Sequence, residues 1–310
     1  MTVFLSTLNQ LAFLFTLIAV GYLLAKLRIL PENAAKTLAK LENTVFIPAL
    51  VLGTFIENFT VERISSAWKL LLISVALTLI CVPVAILISK CVTKDRYIQN
   101  IYTYGLAFSN FGFMGNAVVS ALFPEIFFEY LLFTLPFWTV IYLWGVPVLL
   151  LGDNGQQQSL KDRLRSFLNP MFIAMLIGMI IGLTKMPLPG FLVSVVDTCS
   201  LCMSPVAMLL TGITVCSISF RRTFTDLRIY AVSLIRLVAL PLLFVAVAQF
   251  VPFSKSIYTC ALCVLAMPLG LNTIVIPSAL GKDTSVASGM AVISHLLSLL
   301  TIPVIFALFG

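Results

Sequence analysis

A chain of 310 residues that is 60% hydrophobic and only 10% charged, with a mean hydropathy of +1.10, is too apolar for a soluble globular protein, in which roughly a quarter of residues are charged. About 20 apolar residues cross a bilayer as a helix, so this length accommodates on the order of ten spans with short connections and excludes a sizeable soluble domain. The net charge of +7 sits in short loops, where an excess of Lys and Arg records orientation in the membrane, and this excludes nucleic acid as a partner.

In chain order, apolar runs bounded by charge or turn residues predict spans over 5–25, 43–57, 67–89, 98–122, 130–151, 167–184, 190–219, 229–250, 256–280 and 286–309. No Lys or Arg precedes Lys26, so the first run lacks a signal peptide's basic leader and reads as a retained span. Alternate connections, beginning with the one after span one, collect fourteen basic residues, whereas the others hold only Arg63, Lys69, Lys185 and Lys255. Basic loops stay on the cytoplasmic side. The pattern therefore predicts a multi-pass protein of the cell (inner) membrane with both termini extracellular or periplasmic, and with 152–166 as a cytoplasmic linker between two five-span halves, 1–151 and 167–310. Cys199/Cys202 and Cys260/Cys263 have the C-x-x-C spacing of zinc ligands. Each pair lies inside an apolar run and reads as small buried side chains, with neither a metal nor a cofactor expected. Asn58-Phe59-Thr60 is a glycosylation sequon, relevant only in a host that glycosylates.

Shifting the chain by half its length brings landmarks into register. Gly21 falls on Gly178, Pro48 on Pro205 and Thr54 on Thr211 at an offset of 157; Pro83 meets Pro241, Gly112 meets Gly270 and Ser120-Ala121-Leu122 meets Ser278-Ala279-Leu280 at 158. Val146-Pro147-Val148 matches Ile302-Pro303-Val304 at 156. Five spans per half is an odd number, so the halves enter the membrane in opposite directions. The expected fold is thus an all-α membrane protein of ten helices in two inverted repeats, an architecture found chiefly among secondary transporters.

Spans four and nine carry the densest helix-disrupting chemistry. In "LAMPLGLNTIVIPSALG" Pro268 lacks an N–H, Gly270 relaxes the backbone and Pro277 repeats the break nine residues on. In "FSNFGFMGNAVVSALF" Gly112 and Gly115 flank the disruption, and Asn110 and Asn116 are placed to bond freed backbone groups. Unwound backbone inside a bilayer is tolerated only when buried in protein or lining a wet cavity, so the two interruptions predict a shared cavity. Half-helix N-termini aimed at it favour an anion, with Asn110, Asn116 and Asn272 as neutral donors.

Three ionisable residues fall inside spans, where such residues are functional candidates by default. Asp197 lies one to two turns into span seven. Arg236 lies about two turns from the cytoplasmic end of span eight, where snorkelling is easy, and is a candidate for attracting an anionic substrate. His295, the single histidine, is near the middle of span ten and is a candidate proton carrier. No acidic pair occupies spans three to five or eight to ten, which disfavours sodium/proton exchange and an aspartyl protease. No nucleophile, base and orienting residue assemble around His295, so an enzyme is not expected.

The runs "FIPALVLGTF", "SNFGFMGN", "MSPVAMLLTG", "AMPLGLNTIVIP" and "AVISHLLSLLTIPVIFALFG" make the whole chain resemble the auxin efflux carrier family, and the short linker resembles its bacterial members. The resemblance implies a homodimeric carrier with spans one, two, six and seven as scaffold. Spans three to five and eight to ten would form a moving transport domain. It implies that the crossing centres on Asn110, Pro268 and Gly270, and that the substrate is an organic anion such as a dicarboxylate or an auxin-like carboxylate. Family members often have proline where Ser109 stands. Membrane lipids and a proton or sodium as coupling ion are the other expected partners. The alternatives are a sodium-coupled symporter of the bile-acid type and a membrane ligand sensor.

Overall fold

Inside hydrocarbon the backbone must satisfy its own hydrogen bonds, which leaves helices as the means of crossing for a chain with this periodicity. The computed structural model describes residues 2–151, 160–165, 167–216, 226–279 and 282–310. Every element among them is helical, with no strand beyond one isolated bridge. Most of the 152–166 linker, Arg221 and Arg222, and Leu280 lie outside the described residues.

Helix α1 spans Thr2–Lys26. Helix α2, Ala34–Leu41, continues through a π-helical turn at Glu42–Phe46 into α3, Ile47–Asn58. Helix α4, Val61–Val92, is followed by the interrupted segment of α5, Arg96–Ala107, and α6, Asn116–Leu122. Helix α7, Phe127–Val140, runs into a π-helical stretch, Ile141–Leu150. A short α8, Leu160–Arg165, precedes α9, Pro170–Thr184, and α10, Gly190–Cys216. Helix α11, Leu227–Leu234, passes through a π turn into α12, Leu240–Ala248. The second interrupted segment is α13, Lys255–Ala266, with α14, Asn272–Ala279, and the described chain ends with α15, Ser285–Phe309.

Six of these helical segments are long and apolar enough to cross a membrane, and four shorter apolar helices occupy the remaining runs read as spans. The second starts at Ala34, nine residues ahead of the sequence reading, because the charged α2 joins α3 without a break. Local polar residues set several starts. Asp95 Oδ1 accepts from the Ile98 N–H at 3.0 Å, and Asn169 Oδ1, just before Pro170, accepts from the Phe172 N–H at 3.2 Å. Both are N-caps that satisfy orphan donors of a first turn.

Helices α1 and α10 touch backbone to backbone, as do α3 and α9. A Cβ on Gly21 would lie 2.2 Å from the Leu209 carbonyl oxygen, and one on Gly212 would lie 2.0 Å from that of Ile18. A Cβ on Gly178 would lie 3.0 Å from the Leu52 carbonyl oxygen, and one on Gly182 2.7 Å from that of Phe55. Small residues permit such approach where apolar lipid supplies no hydrophobic drive between helices. On the outside, α4 presents Leu72, Leu79, Ile80 and Leu87, each more than half exposed, as a lipid-facing surface. The interior belongs to the interrupted segments: 101–107 of α5, 259–266 of α13 and 287–295 of α15 are buried throughout.

Candidate functional site

The two interruptions meet. Helix α13 stops at Ala266, and Met267 is extended at φ −71°, ψ 147°. The cause is Pro268, whose ring excludes the preceding residue from helical geometry and which has no N–H to give. Helix α5 stops at Ala107 without a proline; Phe108 is extended at φ −121°, ψ 105°, and Asn110 adopts φ −78°, ψ 44°. Its break is fixed by the other segment. The Asn110 N–H donates to the Pro268 carbonyl at 2.7 Å, Ser109 pairs antiparallel with Leu269, and Ser109 Oγ donates to the Val264 carbonyl at 2.7 Å. Ser109, at the position where the resemblance leads one to expect proline, thus bonds across to α13. At Gly270 a Cβ would come within 3.2 Å of the Phe108 carbonyl oxygen and 3.3 Å of that of Ser109, so glycine allows the extended stretches to lie together.

Four half-helix ends converge here, and they are treated differently. At the C-terminal ends of α5 and α13 lies Arg236, whose side chain is completely buried. It donates to the carbonyls of Leu106 at 2.9 Å, Val264 at 2.7 Å and Met267 at 3.4 Å. The guanidinium satisfies acceptors that the broken helices leave open and opposes their partial negative charge. At the N-terminal ends of the following half-helices, Asn110, Phe111, Gly112 and Phe113 face Gly270, Leu271 and Asn272 around a cavity of about 20 Å³, closed by Tyr104, Trp138 and Ile141. Orphan N–H groups and partial positive charge gather at this side.

Two polar side chains are held at its wall. Asn272 Nδ2 donates to the Tyr104 hydroxyl at 3.0 Å. His295 Nδ1 lies 2.7 Å from the Ala291 carbonyl, which only accepts, so Nδ1 carries the hydrogen. Its Nε2 then accepts from Asn110 Nδ2 at 3.2 Å, and the histidine is neutral in this arrangement. Ser294 Oγ, on the same turn, accepts from the Leu269 N–H at 3.2 Å. A second cavity, of about 80 Å³, shares Gly112, Phe113 and Trp138 with the first and extends to Tyr142, to Asn43 in the turn between α2 and α3, and to Asn169 at the start of α9.

Of the residues singled out from the sequence, the structure brings Asn110, Gly112, Gly270 and Asn272 together at the cavity wall, with Pro268 immediately behind them. Asn116 is buried on α6 but lines neither cavity. Asp197 is exposed on α10 and also lines neither. Several local expectations need correction. Gly112 and Gly115 do not flank the break; they follow it inside a helical turn, where Gly112 makes room for Trp138 and Gly115 for the Tyr130 hydroxyl. Pro277 does not interrupt, and α14 runs through it. Arg236 does not snorkel, because three carbonyls hold it in the interior. The side chains of Tyr104, Trp138 and Ser294 were not anticipated, since aromatic and hydroxyl residues at these spacings look like ordinary span composition.

No metal site forms among the described residues, and all seven cysteines are free. A family model described as membrane transport protein matches residues 6–163 and 157–306, nearly the whole chain, whereas no curated protein matches it. The chain, whose described residues form helices with two paired, interrupted segments around a buried polar centre, belongs on that match to the membrane transport protein family, that of the auxin efflux carriers, and is a membrane transporter with a small-molecule substrate.

Proposed function

We propose that the protein is a secondary carrier of small organic acid anions, in which the paired interruptions form the carboxylate site and move as a unit between the two membrane faces. The observation that carries this reading is the asymmetry of the half-helix ends. Arg236 neutralises the carbonyl ends on one side, and the N–H ends of both continuing half-helices border the cavity on the other. A buried site built that way stabilises negative charge without a cation inside it. Asn272 and Asn110 supply neutral donors at its wall.

The contacts between halves support an inverted repeat. Gly178 and Leu209 stand 157 residues after Gly21 and Leu52, and the close approach of Gly21 to Leu209 is repeated by that of Gly178 to Leu52. A pseudo-twofold relation of this kind supplies two equivalent states of one machine. Spans one, two, six and seven then form the scaffold of a homodimer, and the two interrupted segments with their neighbours slide against it in an elevator motion. In the closed arrangement the cavity of about 20 Å³ holds about one water. Displacement of Trp138 and Phe113 merges it with the cavity reaching Asn43 and makes room for a carboxylate.

Uptake into proteoliposomes across a panel of monocarboxylates, malate, malonate and indole acetate tests the reading. At least one is transported, and Asn272→Ala and Asn110→Ala weaken its binding while leaving the folded yield unchanged. A folded protein that binds and moves none of the panel removes the carrier function, and unchanged binding in both variants removes the asparagines from the site.

A further inference from the structure

Glu42 is the feature that the site leaves unexplained. It opens the π-helical turn between α2 and α3, inside the second membrane-crossing segment, and its side chain is completely buried. Both carboxyl oxygens, Oε1 and Oε2, lack any hydrogen-bond partner. The next residue, Asn43, spends its side-chain amide on the Ala39 carbonyl at 2.7 Å and lines the cavity of about 80 Å³ that meets the site at Gly112 and Trp138. Glu42 itself lines neither cavity, but it is the chain neighbour of Asn43, which does.

The elements packed against this turn are α2, α3, α9 and α10. Lys36 and Lys40 on α2 and Glu57 at the far end of α3 are exposed. Helix α9 carries no titratable side chain. Helix α10 contributes Cys199, Cys202 and Cys216, with Asp197 exposed toward its other end. None of these groups hydrogen-bonds or ion-pairs with Glu42. An ionised carboxylate so enclosed would forfeit its hydration with nothing in return, so the side chain here is the neutral acid. Packing alone gives no reason for an acid at a position that Leu or Gln would fill, and an acid retained within a membrane span points to proton traffic.

We propose that Glu42 is the proton-binding site through which transport is coupled to the proton gradient, an inference that rests on the carrier reading above. In the closed state the carboxyl O–H is intact. When movement of the Trp138 element opens the Asn43 cavity to water, the O–H bond breaks, the proton passes to water and the carboxylate becomes hydrated. Glu42 stays with the scaffold; when the interrupted segments slide past it, the water path that reaches it switches to the more acidic face, an oxygen takes a proton from hydronium and the side chain is enclosed again. One proton per cycle accompanies the organic anion and offsets one unit of its charge.

Two measurements on the full-length protein test this. Infrared difference spectra in nanodiscs between neutral and alkaline buffer should show the carbonyl stretch of a protonated carboxylic acid that is shifted by D₂O and absent from Glu42→Gln. In proteoliposomes, an inward proton gradient should stimulate radiolabelled malonate or malate uptake at least several-fold. Glu42→Gln should lose that stimulation while keeping substrate exchange at zero gradient. A spectrum in which Glu42 contributes no protonated band overturns the proposal, as does a Gln variant that the gradient still drives. Transport by the native protein without gradient stimulation defeats the coupling and leaves the carrier reading standing, whereas no transport of any panel substrate defeats both.

Discussion

Replacing Arg236 by Met tests whether the guanidinium holds the two broken helices together. The two short bonds, to Leu106 and Val264 at 2.9 and 2.7 Å, involve a charged donor and are worth about 1.5–3 kcal/mol each. The 3.4 Å bond to Met267 is weaker. Loss of the pair costs about 3–6 kcal/mol, reduced in part because Val264 keeps its bond from Ser109 at 2.7 Å and because a buried cation no longer has to be desolvated. For a chain of this length about 2 °C of apparent unfolding temperature corresponds to each kcal/mol, so Arg236→Met should unfold on the order of 5–10 °C lower in detergent. Arg236→Lys keeps the charge but cannot reach three divergent carbonyls with a single ammonium, and should recover less than half of the difference. Substrate protection against thermal unfolding distinguishes this role from direct contact: Arg236→Met should retain protection at raised substrate concentration if the residue braces the site from behind. Unchanged unfolding temperature in Arg236→Met would refute the argument that these carbonyls depend on it.

At Gly112 an added methyl would stand 2.6 Å from Trp138. Gly112→Ala should cost about 1–3 kcal/mol through overpacking and slow transport, and Trp138→Phe should restore part of both; a fully active alanine variant would show that the Trp138 wall does not matter. Gly212→Leu drives a side chain into the Ile18 carbonyl and should abolish folded yield by size-exclusion chromatography. Gly190→Ala, with nothing within 4 Å of the added carbon, should express and elute as the native protein; equal yields for the two would refute the close contact between α1 and α10.

Composition and periodicity determined a great deal, because hydrocarbon narrows the choices open to a backbone. The helical fold, the transporter family and the two sites of interruption were all legible in residue types, and Pro268 dictates its own break through a missing donor and a ring that needs space. The break before Asn110 was legible only as a region. Ser109 and Asn110 are compatible with a continuous helix, and it is Pro268 and Val264, far along the chain, that supply the acceptors pulling them out of it. Arg236 shows the same limit from the other direction. Its distance from a span end suggested that it reached water, but the carbonyl ends of two other helices turn it inward, and no local pattern encodes where those ends lie. Glu42 stands immediately before the run 43–57, where nothing local marks it as buried, and tertiary packing against α9 and α10 encloses it. Sequence by itself fixes what each segment must satisfy internally, whereas the partners of a buried charge or a freed carbonyl come from other helices, 28 positions away for Arg236 and Val264 and 155 for Ser109 and Val264, and only the folded chain brings those together.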